Sequence, residues 1–393
     1  MDEKSNNTDM KLLLVVGAAN DIFIYNYAKW LKKSMNISID VFEFYPSEQQ
    51  GYGKEFYDHV ETAKGLFLPF RRGKDLVDDI ARGRDLKVYL KNKYYDAIHC
   101  HWIVPPFVLQ NKIKNHCKKL FLTFWGGEFC DLTILRSKKI YRHYLKRLSK
   151  QTDCIINNKN SQITILNQLP FFKGAYKSAS YGSAPLEALY NLMQNEDKAT
   201  SKQSFNISSE KLTVQIGYSG KPLHQHLQII AELKNHNELK RKIHILAPMT
   251  RGADTDYIKK VKSALDSSGY EYTLLSNRFL SDYEVAQIRN ATDIALQFST
   301  FDTFSNSIIE CLCAKAIVIY GDWLGYEHYM EPSGYTGIEV SNIENGISKL
   351  IEVVENVQSF SSITERNHNN GRHQGLCSEC IIDWINAYND ILN

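Results

Sequence analysis

The 393-residue sequence has no G-x-G-x-x-G fingerprint. A single glycine, Gly17, follows the first apolar run, Lys11 to Val16 (KLLLVV), where a dinucleotide-binding turn would need three. A nicotinamide-dependent dehydrogenase loses ground accordingly. No apolar run approaches the roughly 20 residues of a membrane-spanning helix. The start, MDEKSNNTD, is acidic and polar, so no secretory signal is expected there. Charge of one sign is scarce: 47 Lys and Arg against 44 Asp and Glu leave +3, which argues against general nucleic-acid binding. The eight cysteines (100, 117, 130, 154, 311, 313, 377 and 380) are mostly scattered within apolar segments. That pattern suits reduced core thiols in a cytoplasm better than a disulfide framework.

What is present is alternation. Apolar strand-like runs and amphipathic helix-like runs succeed one another along a chain long enough for two ordinary cores, which predicts a two-domain α/β protein. In the first half, Lys11 to Val16 reads as a strand and Gly17 to Asp21 as a turn. Asn20 and Asp21 cap the helix Ile22 to Lys33, and Ile37 to Phe44 is the next strand. Gly51 to Gly73 reads as loop, and Asp75 to Lys93 as helix. The strand ending His99-Cys100-His101-Trp102 places polar and aromatic groups where doubly wound sheets bind ligands, beyond the carboxyl ends of strands. The two histidines are expected on opposite faces, so at most one faces a site, and His101, nearer the end, is the candidate. A structural histidine is the equal alternative, and zinc is not expected because no third ligand is nearby. Strand Leu120 to Phe124 leads into Trp125-Gly126-Gly127-Glu128, where two glycines permit a sharp turn. Glu128 there either works on a ligand hydroxyl or caps the following helix. Arg136 to Lys150 holds seven Lys or Arg and no acid, on a helix with Ile140, Tyr144 and Leu148 along one face. Such a face suits an anionic membrane surface, although a solvated helix face is the commoner explanation.

Asn191 to Lys211 is polar and nearly free of apolar periodicity. It divides a domain of residues 1–195 from a second of 205–375, with a terminal helix over 376–393. The second domain opens on a strand and then Tyr218-Ser219-Gly220-Lys221, a turn able to cradle phosphate with the lysine as a point charge. Arg251 stands on a later loop as a further candidate cation or as an ordinary surface arginine. Asp254-Thr255-Asp256 has the letters of a metal–diphosphate D-x-D motif but precedes an amphipathic helix, so it reads as a cap and no metal is expected. His368, His373, Cys377 and Cys380 have zinc-ligand chemistry, yet Cys377, Cys380 and Trp384 share one helix face and read as core.

The chain is organised around Ala295 to Tyr320, a strand, a polar turn, a short helix and a second strand. Ser305, Asn306 and Ser307 stand where exposed N–H groups and the helix dipole attract phosphate. Glu310, about one turn on, can accept hydrogen bonds from both hydroxyls of a ribose. Simple helix capping explains the same letters equally well.

Asp302 and Glu310 are separated by seven residues, and Cys313-Ala314-Lys315-Ala316 leads into the apolar strand. This resembles the E-x7-E signature of retaining, GT-B-fold glycosyltransferases of family 4, with Asp in place of the first Glu. Thr303 and Ser305 replace that family's glycines, and Lys315-Ala316-Ile317 replaces its Gly-x-Pro. Trp125 to Glu128 resembles the family's H-G-x-D turn, and Gly325-Tyr326 its G-G-x-x-E loop. Ile216 to about Leu296 is also similar to the transferases that add N-acetylfucosamine to a polyprenyl-linked acceptor, with His226 on their histidine. The resemblance implies the GT-B fold, two Rossmann-like domains facing each other across a cleft, with the last helix crossing back to the first domain. It implies metal-independent transfer of a sugar from a nucleotide-diphosphate donor to a hydroxyl of a glycan or lipid-linked glycan in bacterial surface polysaccharide synthesis, with retention. The donor is a substrate and no separate cofactor is implied. Glu310 would hold the ribose; Ser305, Asn306, Ser307, Gly220, Lys221 and Arg251 the diphosphate; Asp302 the donor sugar. Glu128 or His101 would meet the acceptor, and Arg136 to Lys150 would rest on the inner face of a membrane. A nucleotide-sugar epimerase and a non-catalytic binding protein are the alternatives.

Overall fold

A computed structural model of the protein describes residues 10–46, 53–66, 74–103, 105–108, 112–125, 138–158, 162–250, 254–276, 278, 280–302 and 304–393. The chain divides into two compact units, one of Met1–Tyr181 with Cys380–Asn393, the other of Gly182–Glu379.

The first unit is built on seven parallel strands: β1 (Met10–Val16), β2 (Ile37–Glu43), β3 (His59–Thr62), β4 (Tyr95–His101), β5 (Cys117–Thr123), β6 (Cys154–Asn157) and β7 (Ala175–Ser178). Their order is β3-β2-β1-β4-β5-β6-β7. β1 is central, with Leu12 opposite Ile39 on one side and Ala97 on the other. Its near-continuous apolar run is what a strand covered on both faces requires. Alternate residues feed two cores: Leu13 and Val15 join Phe42, Ile98 and Leu122, whereas Leu12, Leu14 and Val16 join Ile24, Tyr27 and Phe121. The helix Cys377–Leu392 completes the second of these with Ile381, Trp384 and Tyr388.

His99 and His101 do not point to opposite faces. They are two residues apart on β4, so the pleat sets them on the same face, and their ring centroids lie 3.9 Å apart. The segment read as loop between Gly51 and Gly73 contains β3, a partly buried strand on the sheet's edge.

The second unit has six parallel strands, β8 (Leu212–Ile216), β9 (Ile243–Met249), β10 (Tyr272–Ser276), β11 (Ile294–Gln297), β12 (Ile317–Gly321) and β13 (Ile338–Val340), in the order β10-β9-β8-β11-β12-β13. Asp254 caps the helix Thr255–Asp266 by accepting from the Asp256 N–H at 2.9 Å, the role its letters suggested. Ser281 and Glu284 form a capping box. The unit begins at Gly182, ahead of the polar stretch 191–211. Residues 184–195 form a helix whose Leu186, Leu189, Tyr190 and Leu192 pack with Ile308, Cys311 and Leu312. Polarity after Asn195 therefore marks surface, while the apolar face just before it assigns the segment to the second core.

Candidate functional site

In both sheets the strand order reverses once, between β1 and β4 and between β8 and β11. Loops leaving the carboxyl ends of such a pair run in opposite directions and leave a crevice, the place where doubly wound sheets take ligands.

In the second unit the loop after β8 starts at Gly217, with φ +61. A Cβ there would stand 2.9 Å from the His224 Cβ and from the His226 Nε2, so only glycine fits. The chain then passes Tyr218 and Ser219 to Gly220, which is buried, and Lys221, whose side chain is exposed. His224 fastens this loop to the one after β11. Its Nε2 pairs with the Ser219 hydroxyl and its Nδ1 with the Ser299 hydroxyl, each at 2.8 Å. Burial lowers its pKa to about 4, so the imidazole is neutral near pH 7. The Thr300 N–H, donating to the Leu223 carbonyl at 2.8 Å, is a second tie between the loops.

The loop after β11 carries Asp302. Its carboxylate accepts from the Gln297 amide at 2.8 Å and from the Tyr326 hydroxyl. The Tyr218 hydroxyl lies beside Ser305 and Asp302, and burial raises its pKa to about 12. Phe304 adopts φ +56 immediately before Ser305, the N-cap of the helix Asn306–Cys313. The Ser305 side chain makes no capping hydrogen bond; its carbonyl accepts from the Ile308 N–H at 2.9 Å. Asn306 and Ser307 are half-buried, and the Asn306 amide reaches the Gly182 carbonyl at 3.4 Å.

Glu310 is not open to solvent. It is 4% exposed. Its Oε2 pairs with the Arg289 Nε at 3.0 Å, and its Oε1 accepts from the Ser183 hydroxyl at 2.7 Å. Arg289 also donates to the Gln215 Oε1 at 2.8 Å. The helical period turns residue 310 toward the helix Asp282–Ala291 that bears Arg289, and each carboxylate oxygen keeps one lone pair.

The remaining candidates are placed as follows. Glu128 and Arg251 lie outside the described residues. His226 is buried with its Nδ1 3.3 Å from the Tyr257 hydroxyl, beneath Gly217 instead of in the loops. His101 belongs to the first unit and is fully buried, its Nδ1 paired with the Tyr181 hydroxyl. Burial lowers its pKa to about 3. The structure thus groups Gly220, Lys221, Asp302, Ser305, Asn306, Ser307 and Glu310 within one unit, brings in Tyr218 and Tyr326, which the sequence motifs contained without a role of their own, and adds His224 and Arg289, which sequence reasoning missed. His224 had a visible signal, a histidine in the turn itself. Arg289 had none, because its partner is 21 residues away.

No protein-family model and no curated protein matches the sequence. Solved structures do share its fold. Sucrose-phosphate synthase from Thermosynechococcus elongatus is similar with a TM-score of 0.71 at 12% identity, over 97% of this chain and 98% of that one. HepE from Anabaena in complex with UDP gives 0.68 at 14% identity, over 97% and 100%. WaaG, a glycosyltransferase involved in lipopolysaccharide biosynthesis, gives 0.66 at 13%, over 97% and 99%. Two parallel Rossmann-like sheets of seven and six strands, matched across nearly the whole chain, constitute the GT-B glycosyltransferase fold.

Proposed function

We propose that the protein is a glycosyltransferase that moves a sugar from a nucleotide-diphosphate donor to a hydroxyl of a glycan or lipid-linked glycan. The carrying observation is the Asp302-to-Glu310 element standing beside the Gly217–Lys221 loop at the switch point of the second unit. HepE, similar in fold, has been solved with UDP, with UDP and glucose, and with UDP-glucose, which supports a nucleotide-sugar donor. In this reading Gly220, Lys221, Arg251 and the turn Ser305 to Ser307 neutralise the departing diphosphate, the main electrostatic task of such a transfer. Glu310 accepts from the ribose through the lone pairs that Ser183 and Arg289 leave, and Asp302 orients the donor sugar. Glu128 is the preferred group to meet the acceptor hydroxyl, because His101 is fully buried with its Nδ1 paired to the Tyr181 hydroxyl.

The acceptor's carrier would be a membrane lipid and the transfer would proceed at the inner face. Among the described residues no helix is long and apolar enough to cross a membrane. In the helix Lys138–Gln151, Leu145 and Leu148 are buried in the unit's own core while Lys146, Arg147 and Lys150 are exposed. Residues 136–137 lie outside the described residues; contact through Lys146, Arg147 and Lys150 would be electrostatic.

The test is a thermal-shift panel of UDP, GDP, TDP, ADP and CMP on the wild type and on Lys221→Ala. A ligand that binds only the native state raises its Tm. One diphosphate shifting the wild type, and shifting the variant less, is expected. No shift with any of them removes the reading.

A further inference from the structure

The switch point of the first unit is built from aromatic rings. Trp102, the residue after β4, has φ +56, a conformation that bulky side chains rarely adopt. Its indole lies on Gly17 at the end of β1, where an added Cβ would come within 2.2 Å of the ring's Cε3. A strained backbone and a bare glycine together hold this ring flat against the loop, yet it remains 40% exposed. Trp125, at the end of β5, stacks beside it with centroids 6.4 Å apart and planes at 24°. Phe23, opening the first helix and 37% exposed, meets Trp125 edge-on at 5.7 Å. Tyr181, after β7, lies 5.7 Å from Phe23 and 6.0 Å from Trp125. Four rings from four separate segments thus form one surface.

That surface is fixed from below. The Trp125 indole N–H donates to the Tyr181 hydroxyl at 3.1 Å, and the same hydroxyl pairs with the His101 Nδ1. The loop Gly17–Asp21 is equally held: the Ala19 N–H donates to Glu43 at 2.8 Å, and the Tyr57 hydroxyl donates to the Ala19 carbonyl at 2.7 Å. A ring needed only for packing would be buried, and one in a free loop would relax to an ordinary backbone. Strain kept in place by its surroundings and aimed at solvent marks a group that meets a ligand.

The ligand's chemistry follows from the surface. It offers flat π faces next to a polar turn, since the Phe23 N–H donates to the Asp21 carboxylate at 2.8 Å. A pyranose ring matches it, with one face of C–H groups and a rim of hydroxyls. We infer that this shelf binds a sugar ring of the acceptor, its C–H face stacked on Trp102, so that the acceptor is recognised through carbohydrate and not through a carrier lipid. The inference rests on the transferase reading and names its acceptor class.

Saturation-transfer NMR tests it without donor or turnover, on the full chain, with methyl β-glucopyranoside, methyl β-galactopyranoside and methyl N-acetyl-β-glucosaminide as probes and dodecyl phosphate as the lipid control. At least one pyranoside is expected to receive saturation on the C–H protons of one ring face. Its Kd is expected to rise at least about tenfold in Trp102→Ala, as for a central aromatic anchor, and to recover in Trp102→Phe. Trp102→Gly, which suits the backbone at this position, is expected to melt above Trp102→Ala and still fail to bind, separating loss of the ring from loss of the fold. No binding by any pyranoside, equal affinity in Trp102→Ala, or Trp102-dependent binding of dodecyl phosphate alone would overturn the proposal. Titrations with UDP, GDP, TDP, ADP and CMP in parallel keep the two readings apart. Trp102-dependent sugar binding with none of these nucleotides bound removes the acceptor role and the transferase reading together but leaves a sugar site. Nucleotide binding without sugar binding removes the shelf alone.

Discussion

The two units repeat one strand order and differ in what they place where it reverses. At β1 and β4 stand aromatic rings, a neutral buried histidine and a tryptophan held over glycine. At β8 and β11 stand two carboxylates, a helix terminus, an exposed lysine and a histidine joining two serines. Topology supplies the crevice in both cases; the side chains at the strand ends decide whether it suits an apolar ring face or an anion. Glycine appears at the same point of each, Gly17 and Gly217, for the same reason: a side chain must lie directly against the backbone.

Four measurements sharpen or break this contrast. The largest effect of a single substitution is expected from Glu310→Ala, which strands the buried Arg289 guanidinium and should cost about 3–5 kcal/mol by urea unfolding. Glu310→Leu with Arg289→Met should recover most of that. If Glu310→Ala is neutral, the ion pair does not organise the second site.

The pH dependence comes next. His101 and His226 have pKa values near 3 and His224 near 4, lowered by burial from an ordinary value of 6.5. The unfolded chain therefore binds more protons than the native one between these limits. Stability is full above about pH 6.5 and falls as pH drops toward 4, by on the order of 3 kcal/mol per histidine. Unfolding monitored across that window should show the decline, and His224→Gln should make it shallower. A flat profile from pH 7 to 4 would contradict the burial of these rings.

A smaller difference is expected at Trp102, where glycine relieves a left-handed backbone that alanine keeps. Trp102→Gly should be more stable than Trp102→Ala by about 1 kcal/mol. Equal stability would mean that the backbone there is unstrained. The smallest effect on folding belongs to Lys221→Ala: within about 0.5 kcal/mol of wild type, as for an exposed side chain. Its consequence should appear only in nucleotide affinity, read by calorimetry, and an unchanged affinity would take Lys221 out of the site.

Much of the fold was legible. β1, β8 and β11 were read as strands, and Asp254 announced its helix by capping chemistry. The strands that escaped notice, β3, β7, β10 and β13, are short and mostly only partly buried, and β3, β7 and β10 carry polar or mixed residues. They are held by backbone pairing to a neighbour, which leaves little trace in side-chain pattern. The site was legible in outline and not in function of each residue. Asp302 and Glu310 could be picked out by spacing, but Tyr326 on one and Arg289 on the other come from segments that spacing does not reach.

Local letters were sufficient for the alternation of strands and helices, the helix starts, the turn at Gly17 and the polar turn before Asn306, because each depends on residues within a turn or two. Tertiary structure alone decided that residues 184–195 belong to the second unit, that Glu310 is paired and covered, and that four distant aromatic residues meet at one strand end. Those outcomes turn on which surfaces are buried together and which charges lose their water, and both are settled between elements far apart in the chain.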